Sequence, residues 1–141
     1  MNPREFQELA EELAHGKRPA ELRSAISRAY YAAYLVAVET LRGMSFRISK
    51  GSAGHAEVQR CLFNSGDPAL AKIGSDLSDF RRTRNLADYD PGDKSVEEQA
   101  KAVVYVAMAR KIIQALDTCQ AEPQRSRIIA GINAYLKKLE P

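Results

Sequence analysis

Apolar residues recur along this chain at intervals of three and four, the period of a helix with one buried face. No stretch alternates apolar and polar positions as a half-buried strand would. Phe6, Leu9 and Leu13 form the first stripe, which ends at His15-Gly16. Leu22, Ile26, Ala29, Ala33 and Val36 form the second, on a helix expected from Pro19 to Gly43. Its middle, Tyr30 to Val38, is apolar on every side, which predicts a helix covered all round, at the centre of a bundle or in a dimer interface. An irregular stretch from Met44 to Gly54 carries Arg47, Lys50 and Gly51, and a short helix is expected from His55 to about Phe63. Leu70, Ile73, Leu77 and Phe80 mark the next helix, up to the Asp90-Pro91-Gly92 break. Val104, Met108, Ile112, Ala115 and Cys119 stripe a fifth, and Ile128, Ile129, Ile132, Tyr135, Leu136 and Leu139 share one face of the last.

Boundary residues give the same reading. Asn2-Pro3-Arg4-Glu5 places a capping amide, a proline at the first helical position and an acid three residues after the cap. Asp67-Pro68 repeats the cap-and-proline start, and Ser95-Val96-Glu97-Glu98 reads as a capping box for the fifth helix. The expected fold is all-α, an antiparallel up-and-down bundle of about five to six helices. Residues 1–121 form the bundle, and residues 122–141 an appended amphipathic basic helix, within the same domain or docking a partner.

Composition narrows the class. The chain has 141 residues, 45% hydrophobic and 28% charged, which is globular rather than disordered or low-complexity. Cys61 and Cys119 stand apart, without CxxC spacing or neighbouring histidines, so neither zinc nor a disulfide framework is indicated and both are expected in the core. The polar N-terminus begins a helix pattern rather than a signal peptide, and no apolar run spans a bilayer. The expectation is a cytoplasmic protein with no membrane association, no metal and no cofactor. The net charge is +3, divided as +2 over residues 1–66, −2 over 67–122 and +3 over 123–141. The excess therefore belongs to the last helix, with Arg125, Arg127, Lys137 and Lys138, and any anion affinity elsewhere must come from local arrangement.

One arginine breaks the pattern. Extended by its own rule, the stripe Leu70, Ile73, Leu77, Phe80 reaches Arg84, on the face its helix otherwise buries. Burying a guanidinium is costly unless it is paired or used. Two readings stand: the last turn has left the core and Arg84 bridges Asp88 on the surface, or Arg84 has a functional or interface role. The run from Arg81 to Asp90 combines guanidinium, amide, carboxylate and phenol within a turn and a half. Arg81, Arg84 and Asn85 suit a phosphodiester and its 2′-hydroxyl, with Tyr89 stacking on a base or donating a proton. Arg28, in an apolar helix beside tyrosines, is expected to pair with Asp88 or to line a cleft.

Ser27-Arg28-Ala29-Tyr30-Tyr31-Ala32-Ala33-Tyr34 resembles the S-R-x-Y-Y-A-x-[FY] signature of HEPN domains, and Arg84-Asn85-Leu86-Ala87-Asp88-Tyr89 resembles the R-x-x-A-D-Y motif of their small single-domain prokaryotic branch. Gly54-His55-Ala56-Glu57-Val58 sits where that branch often carries a histidine before a helix. The resemblance covers roughly Phe6 to Cys119 and implies a bundle that dimerises, with the arginine motifs of two subunits facing across a cleft. It further implies a metal-independent endoribonuclease of the R-x4-6-H type, toxin-like and paired with a small nucleotidyltransferase antitoxin, or a degenerate relative. Carried over by position, Arg84 is the motif arginine, and Tyr89 stands where the motif histidine belongs; no histidine follows Arg84 in the chain. In an active version Arg84 stabilises phosphate charge in the transition state, Asp88 orients it, and Tyr89 or His55 handles the proton.

The alternative is a non-catalytic dimeric interaction module, its cleft a dimer seam and its partner such a nucleotidyltransferase, with the Arg84–Asp88 pair structural. Other chemistries lack their residues. Gly51-Ser52-Ala53-Gly54 is not a P-loop, no HExxH or Cys/His cluster is present, and Ser24 and Ser27 lack a nearby base. Tyr30, Tyr31 and Tyr34 have the spacing of core residues rather than of a stacking platform.

Overall fold

A computed structural model describes all of residues 1–141 as six α-helices with one 3-10 turn and no strand. The helices are α1 (Arg4–Leu13), α2 (Pro19–Gly43), α3 (Ala53–Phe63), α4 (Pro68–Tyr89), α5 (Gln99–Thr118) and α6 (Gln124–Lys138); the 3-10 turn is Lys94–Glu97. The all-α bundle expected from periodicity is the observed architecture.

The central helix is α2, packed against α1, α3, α4 and α5. Its alanines at positions 25, 29, 32, 33 and 37 are fully buried, and small side chains let neighbouring helices approach closely. Between Tyr30 and Val38 only Tyr31 and Leu35, one turn apart, remain partly open. Helix α4 runs opposite to α2, so that Tyr30 meets the Phe80 ring edge-on and Ser27 meets Asp88 near the other end. Leu70, Ile73, Leu77, Phe80, Arg84 and Ala87 are all buried, so the stripe continues through the arginine to the end of the helix. The last turn of α4 has not left the core.

Local starts follow the sequence in two of three cases. Asn2 Oδ1 accepts from the Arg4 N–H at 3.0 Å while Glu5 accepts from the Asn2 N–H at 3.1 Å, a reciprocal cap. Asp67 Oδ2 accepts from the Leu70 N–H at 3.1 Å, with Pro68 opening α4. The Ser95–Glu98 capping box does not form. Asp93 caps there instead, accepting from the Ser95 N–H at 2.9 Å, and the segment winds into the 3-10 turn; α5 starts at Gln99 without a side-chain cap. Helix α3 likewise begins two residues before His55, at Ala53.

Two stripes are rotated from their expected faces. On α5 the buried line is Ala102, Val106, Ala109, Ile112, Ile113 and Leu116, whereas Val104 is 59% exposed. Packing against both α1 and α2 selects the face carrying Ala102 and Ala109, because the closest helix contacts admit only small residues. On α1, Gln7 and Ala10 are buried and Leu9 is 40% exposed. Gln7 is tolerated inside because its amide donates to the Val106 carbonyl at 3.0 Å.

Helix α6 buries Ile128 and Ile132 in the same core, and leaves Leu136 and Leu139 exposed. Its Gly131 lies against the 65–66 turn so closely that a Cβ there would stand 1.9 Å from the Ser65 carbonyl oxygen. Both cysteines are buried and free. No helix is long and apolar enough to cross a membrane.

Candidate functional site

The face of α2 that meets α4 carries Arg23, Ser27 and Tyr30, spaced four and three apart. Ser27 Oγ donates to Asp88 Oδ2 at 3.0 Å, and the same oxygen lies 3.6 Å from an Arg84 terminal nitrogen. Asp88 thus stands beside Arg84, and its hydrogen-bond partner is Ser27 and not Arg28. Residues 27 and 28 point about 100° apart on a helix, which turns Arg28 toward α1. There its guanidinium lies 5.2 Å from the Phe6 ring centre and 5.7 Å from that of Tyr31. Arg28 neither pairs with Asp88 nor lines the cavity described below.

Arg84 is 5% exposed and makes no hydrogen bond within the chain; its Nε is buried without a partner. Its charge is held over aromatic faces, 5.0 Å from the Tyr31 ring centre, 5.3 Å from Tyr30 and 6.0 Å from Tyr89. Arg81 Nε is likewise buried and unpartnered. Arg82, by contrast, pairs with Asp79 on the surface, away from this group. Asp88 supplies one carboxylate for these two neighbouring guanidiniums, and their buried Nε donors stay without a hydrogen bond, which is costly in a folded protein.

His55 enters from α3. Its ring stacks on Tyr34 at 4.0 Å between centres, and its Nδ1 lies 2.6 Å from the Tyr30 hydroxyl. The approach of α3 needs Gly54, since a Cβ there would fall 2.5 Å from both the Ser49 carbonyl and the Tyr34 hydroxyl. Burial, reinforced by the charges of Arg81 and Arg84, lowers the His55 pKa to about 4, so the ring is neutral. Burial pushes the Tyr30 phenol well above its ordinary value. The protonated phenol has no other partner, so it donates to Nδ1, and the ring's own proton resides on Nε2.

These groups surround a cavity of about 490 Å³ lined by Arg81, Arg84, Asn85 and Tyr89 of α4, Tyr31, Tyr34 and Leu35 of α2, His55 of α3 and the Lys50-Gly51-Ser52 segment. Its lining holds three cations and no carboxylate. Of the residues expected at a site, the cavity brings together Arg81, Arg84, Asn85, Tyr89 and His55, with Asp88 behind Arg84. Tyr89 sits at the rim, 74% exposed. Tyr30 and Tyr34 are buried as core spacing predicts, but Tyr34 also lines the cavity, as does the half-buried Tyr31.

Arg23 carries no signal in the sequence, because all its partners lie more than sixty residues away. One nitrogen donates to the carbonyls of Leu86, Ala87 and Asp90, at 3.2, 3.0 and 2.9 Å. A second donates to those of Pro91 and Asp93 and to Glu97, at 3.2, 2.7 and 2.9 Å, and Nε also donates to Glu97 at 3.3 Å. It caps the C-terminal end of α4, the end that presents Asp88 and Tyr89. A second hollow, about 580 Å³ between α4 and α5, is lined mainly by apolar residues including Ile73, Val104 and Met108 and holds none of these groups. No set of His, Cys, Asp or Glu side chains is gathered as metal ligands would be.

No family model, curated protein or solved structure matches this chain.

Proposed function

We propose that this protein is a HEPN-type binder of RNA or nucleotides, and that the cavity around Arg84 takes a phosphate group of the ligand. The observation that carries this reading is the pair Arg81 and Arg84, which line a cavity free of carboxylates, make no hydrogen bond through their buried Nε atoms, and have only Asp88, 3.6 Å from Arg84, as a counter-ion. A phosphate oxygen fits such donors better than any neutral group, because each bond is charge-assisted and the arginine fork matches its geometry. Tyr31 and Tyr89 add ring faces beside the site.

The proton chemistry of strand cleavage is less well served. Tyr89 stands at the position the HEPN motif gives to histidine, and an ordinary phenol is a weak base at neutral pH. His55 is neutral, but its Nδ1 lone pair is taken by Tyr30, and Nε2 then donates. The reading favoured here is therefore a relative of the metal-independent RNases that binds without an efficient base. Under it, a homodimer and a nucleotidyltransferase partner remain part of the HEPN-type proposal, with the exposed Tyr89 phenol the group most accessible to such a partner.

The deciding experiment is RNA binding by wild type and Arg84→Ala, with cleavage of total RNA in EDTA followed in parallel. Saturable binding that weakens at least ten-fold in Arg84→Ala is expected, with a salt slope reporting the phosphates engaged. Equal binding by the two proteins overturns the reading. Cleavage above the Arg84→Ala level in EDTA replaces binding alone with catalysis.

A further inference from the structure

Helix α5 is apolar on two faces. One carries Ala102, Val106, Ala109, Ile113 and Leu116 and is buried in the core. The other carries Val104, Ala107, Met108, Ile112 and Ala115 at intervals of three and four, and forms one wall of the 580 Å³ hollow beside α4. Ile73 of α4 and Ile112 are buried at its base, Met108 is half-buried, and Val104 is 59% exposed. The two helices are tied by Tyr105, whose ring centre lies 5.0 Å from that of Phe80 and whose hydroxyl is 2.9 Å from Thr83 Oγ1. A helix apolar around both faces calls for cover on both, and here the second face lines an open groove.

The lining restricts what that cover can be. Seven of its ten residues are hydrophobic, none is aromatic, and none has an amide or hydroxyl side chain. A nucleobase finds no ring to stack on, and a sugar finds no neutral donor or acceptor. The other three are Lys72, Asp76 and Lys111. Lys72 Nζ donates to Asp76 Oδ2 at 2.8 Å, so these two charges balance. Lys111 takes part in none of the chain's ion pairs, which leaves one uncompensated positive charge beside an aliphatic floor. Ten residues are too few for a second copy of the chain, since a stable interface engages roughly 20–30 residues a side. The volume instead falls among small-molecule sites, roughly 300–1,000 Å³.

We infer that the α4–α5 groove binds an aliphatic monoanion, a free fatty acid of medium chain length. The alkyl chain lies along Ile73, Val104, Met108 and Ile112, and the carboxylate meets Lys111. The stripe from Val104 to Ala115 rises about 16 Å along α5, so an extended chain follows it better than a compact molecule does. Met108, unbranched and polarizable, adapts to the chain that lies on it. The site shares no residue with the cavity around Arg84 and is independent of what that cavity binds.

The test is calorimetric titration at low salt with octanoate, decanoate and dodecanoate, each below its micellar concentration, and with decanol as the uncharged counterpart. Wild type is expected to bind one chain per molecule, with affinity rising about ten-fold for each two methylenes added. Decanoate should bind about three-fold more tightly than decanol, the worth of one exposed ion pair, and Lys111→Gln should bring that preference to about unity. Val104→Asp, at an exposed position, should keep the wild-type melting temperature while decanoate affinity falls at least ten-fold. Absence of saturable binding, uptake of many chains per molecule, or affinity indifferent to chain length overturns the proposal. So does undiminished decanoate binding by Val104→Asp. Equal affinity for decanoate and decanol in wild type, or a preference retained in Lys111→Gln, overturns the anionic headgroup and with it the ligand class. A chain that fails to bind decanoate and elutes as a dimer dissociated by Val104→Asp assigns the groove to contact between copies, which also overturns it.

Discussion

The Tyr30 hydroxyl lies 2.6 Å from His55 Nδ1, tying the middle of α2 to the first turn of α3 beneath the cavity. Both partners are buried, both are uncharged, and each satisfies the other. The imidazole is thereby fixed in one tautomer and one orientation, stacked on Tyr34.

Tyr30→Phe keeps the ring and removes only the donor. It leaves a buried imidazole nitrogen without its partner, at a cost of about 1–2 kcal/mol in chemical denaturation. Because the lost bond favoured neutral imidazole, the His55 titration followed by NMR should move upward toward its ordinary value. An unchanged titration contradicts the assignment of Tyr30 as the donor.

Stability should depend on pH through His55. In the unfolded chain a histidine titrates near its ordinary value of about 6.5, and in the fold His55 titrates at about 4. Between those values the unfolded chain binds more protons, so its population grows as pH falls. The contribution is fully present above about pH 6.5 and is lost progressively toward pH 4, to a total of about 3 kcal/mol. Denaturation midpoints at pH 7, 5.5 and 4 should show this slope, and His55→Gln should flatten it.

Arg23→Ala removes seven donated bonds at once and leaves Glu97, four-fifths buried at its side chain, without its cation. A loss of about 2–4 kcal/mol is expected in urea denaturation. Arg23→Lys should recover little, since a point charge cannot span carbonyls on both sides of the 90–93 turn. Equal stability of the lysine variant and wild type would show that charge alone is at work.

Gly131→Ala inverts a normal expectation. In an exposed helix interior the change stabilises by about 1 kcal/mol, but here the new Cβ meets the Ser65 carbonyl at 1.9 Å. Helix α6 must shift off the 65–66 turn, drawing Ile128 and Ile132 toward solvent. Hydrogen exchange should accelerate over residues 124–138 while α2 and α4 keep their protection.

Much of the fold was legible because helical period and end signals are local. The stripes of α2 and α4, the Asn2 and Asp67 caps and the boundaries of α2 follow from residues within a turn or two of each other. The α1 and α5 faces did not follow, because several apolar stripes fit those sequences and the choice was made by which neighbours pack closely. Ser95 failed as a cap for a similar reason: Asp93 reached its N–H first, and the 3-10 turn was set by what Arg23 holds behind it.

The site divides along the same line. Sequence alone determined that an arginine continues the apolar stripe of α4, since position 84 extends the run from Leu70 to Phe80 whatever the surroundings, while its burial was settled by the packing of α2 and α4. Only the tertiary structure decided what that arginine faces. The crossing of α2 over α4 puts Tyr30 and Tyr31 against its guanidinium and sends Arg28 to the opposite side, and the glycine contact at Gly54 delivers His55 and the Lys50–Ser52 segment from α3. Arg23, silent in the sequence, holds the end of α4 that completes the group. Periodicity is a property of one helix, whereas a cavity belongs to the three helices and the loop that enclose it, and their mutual approach is set by packing that no local pattern records.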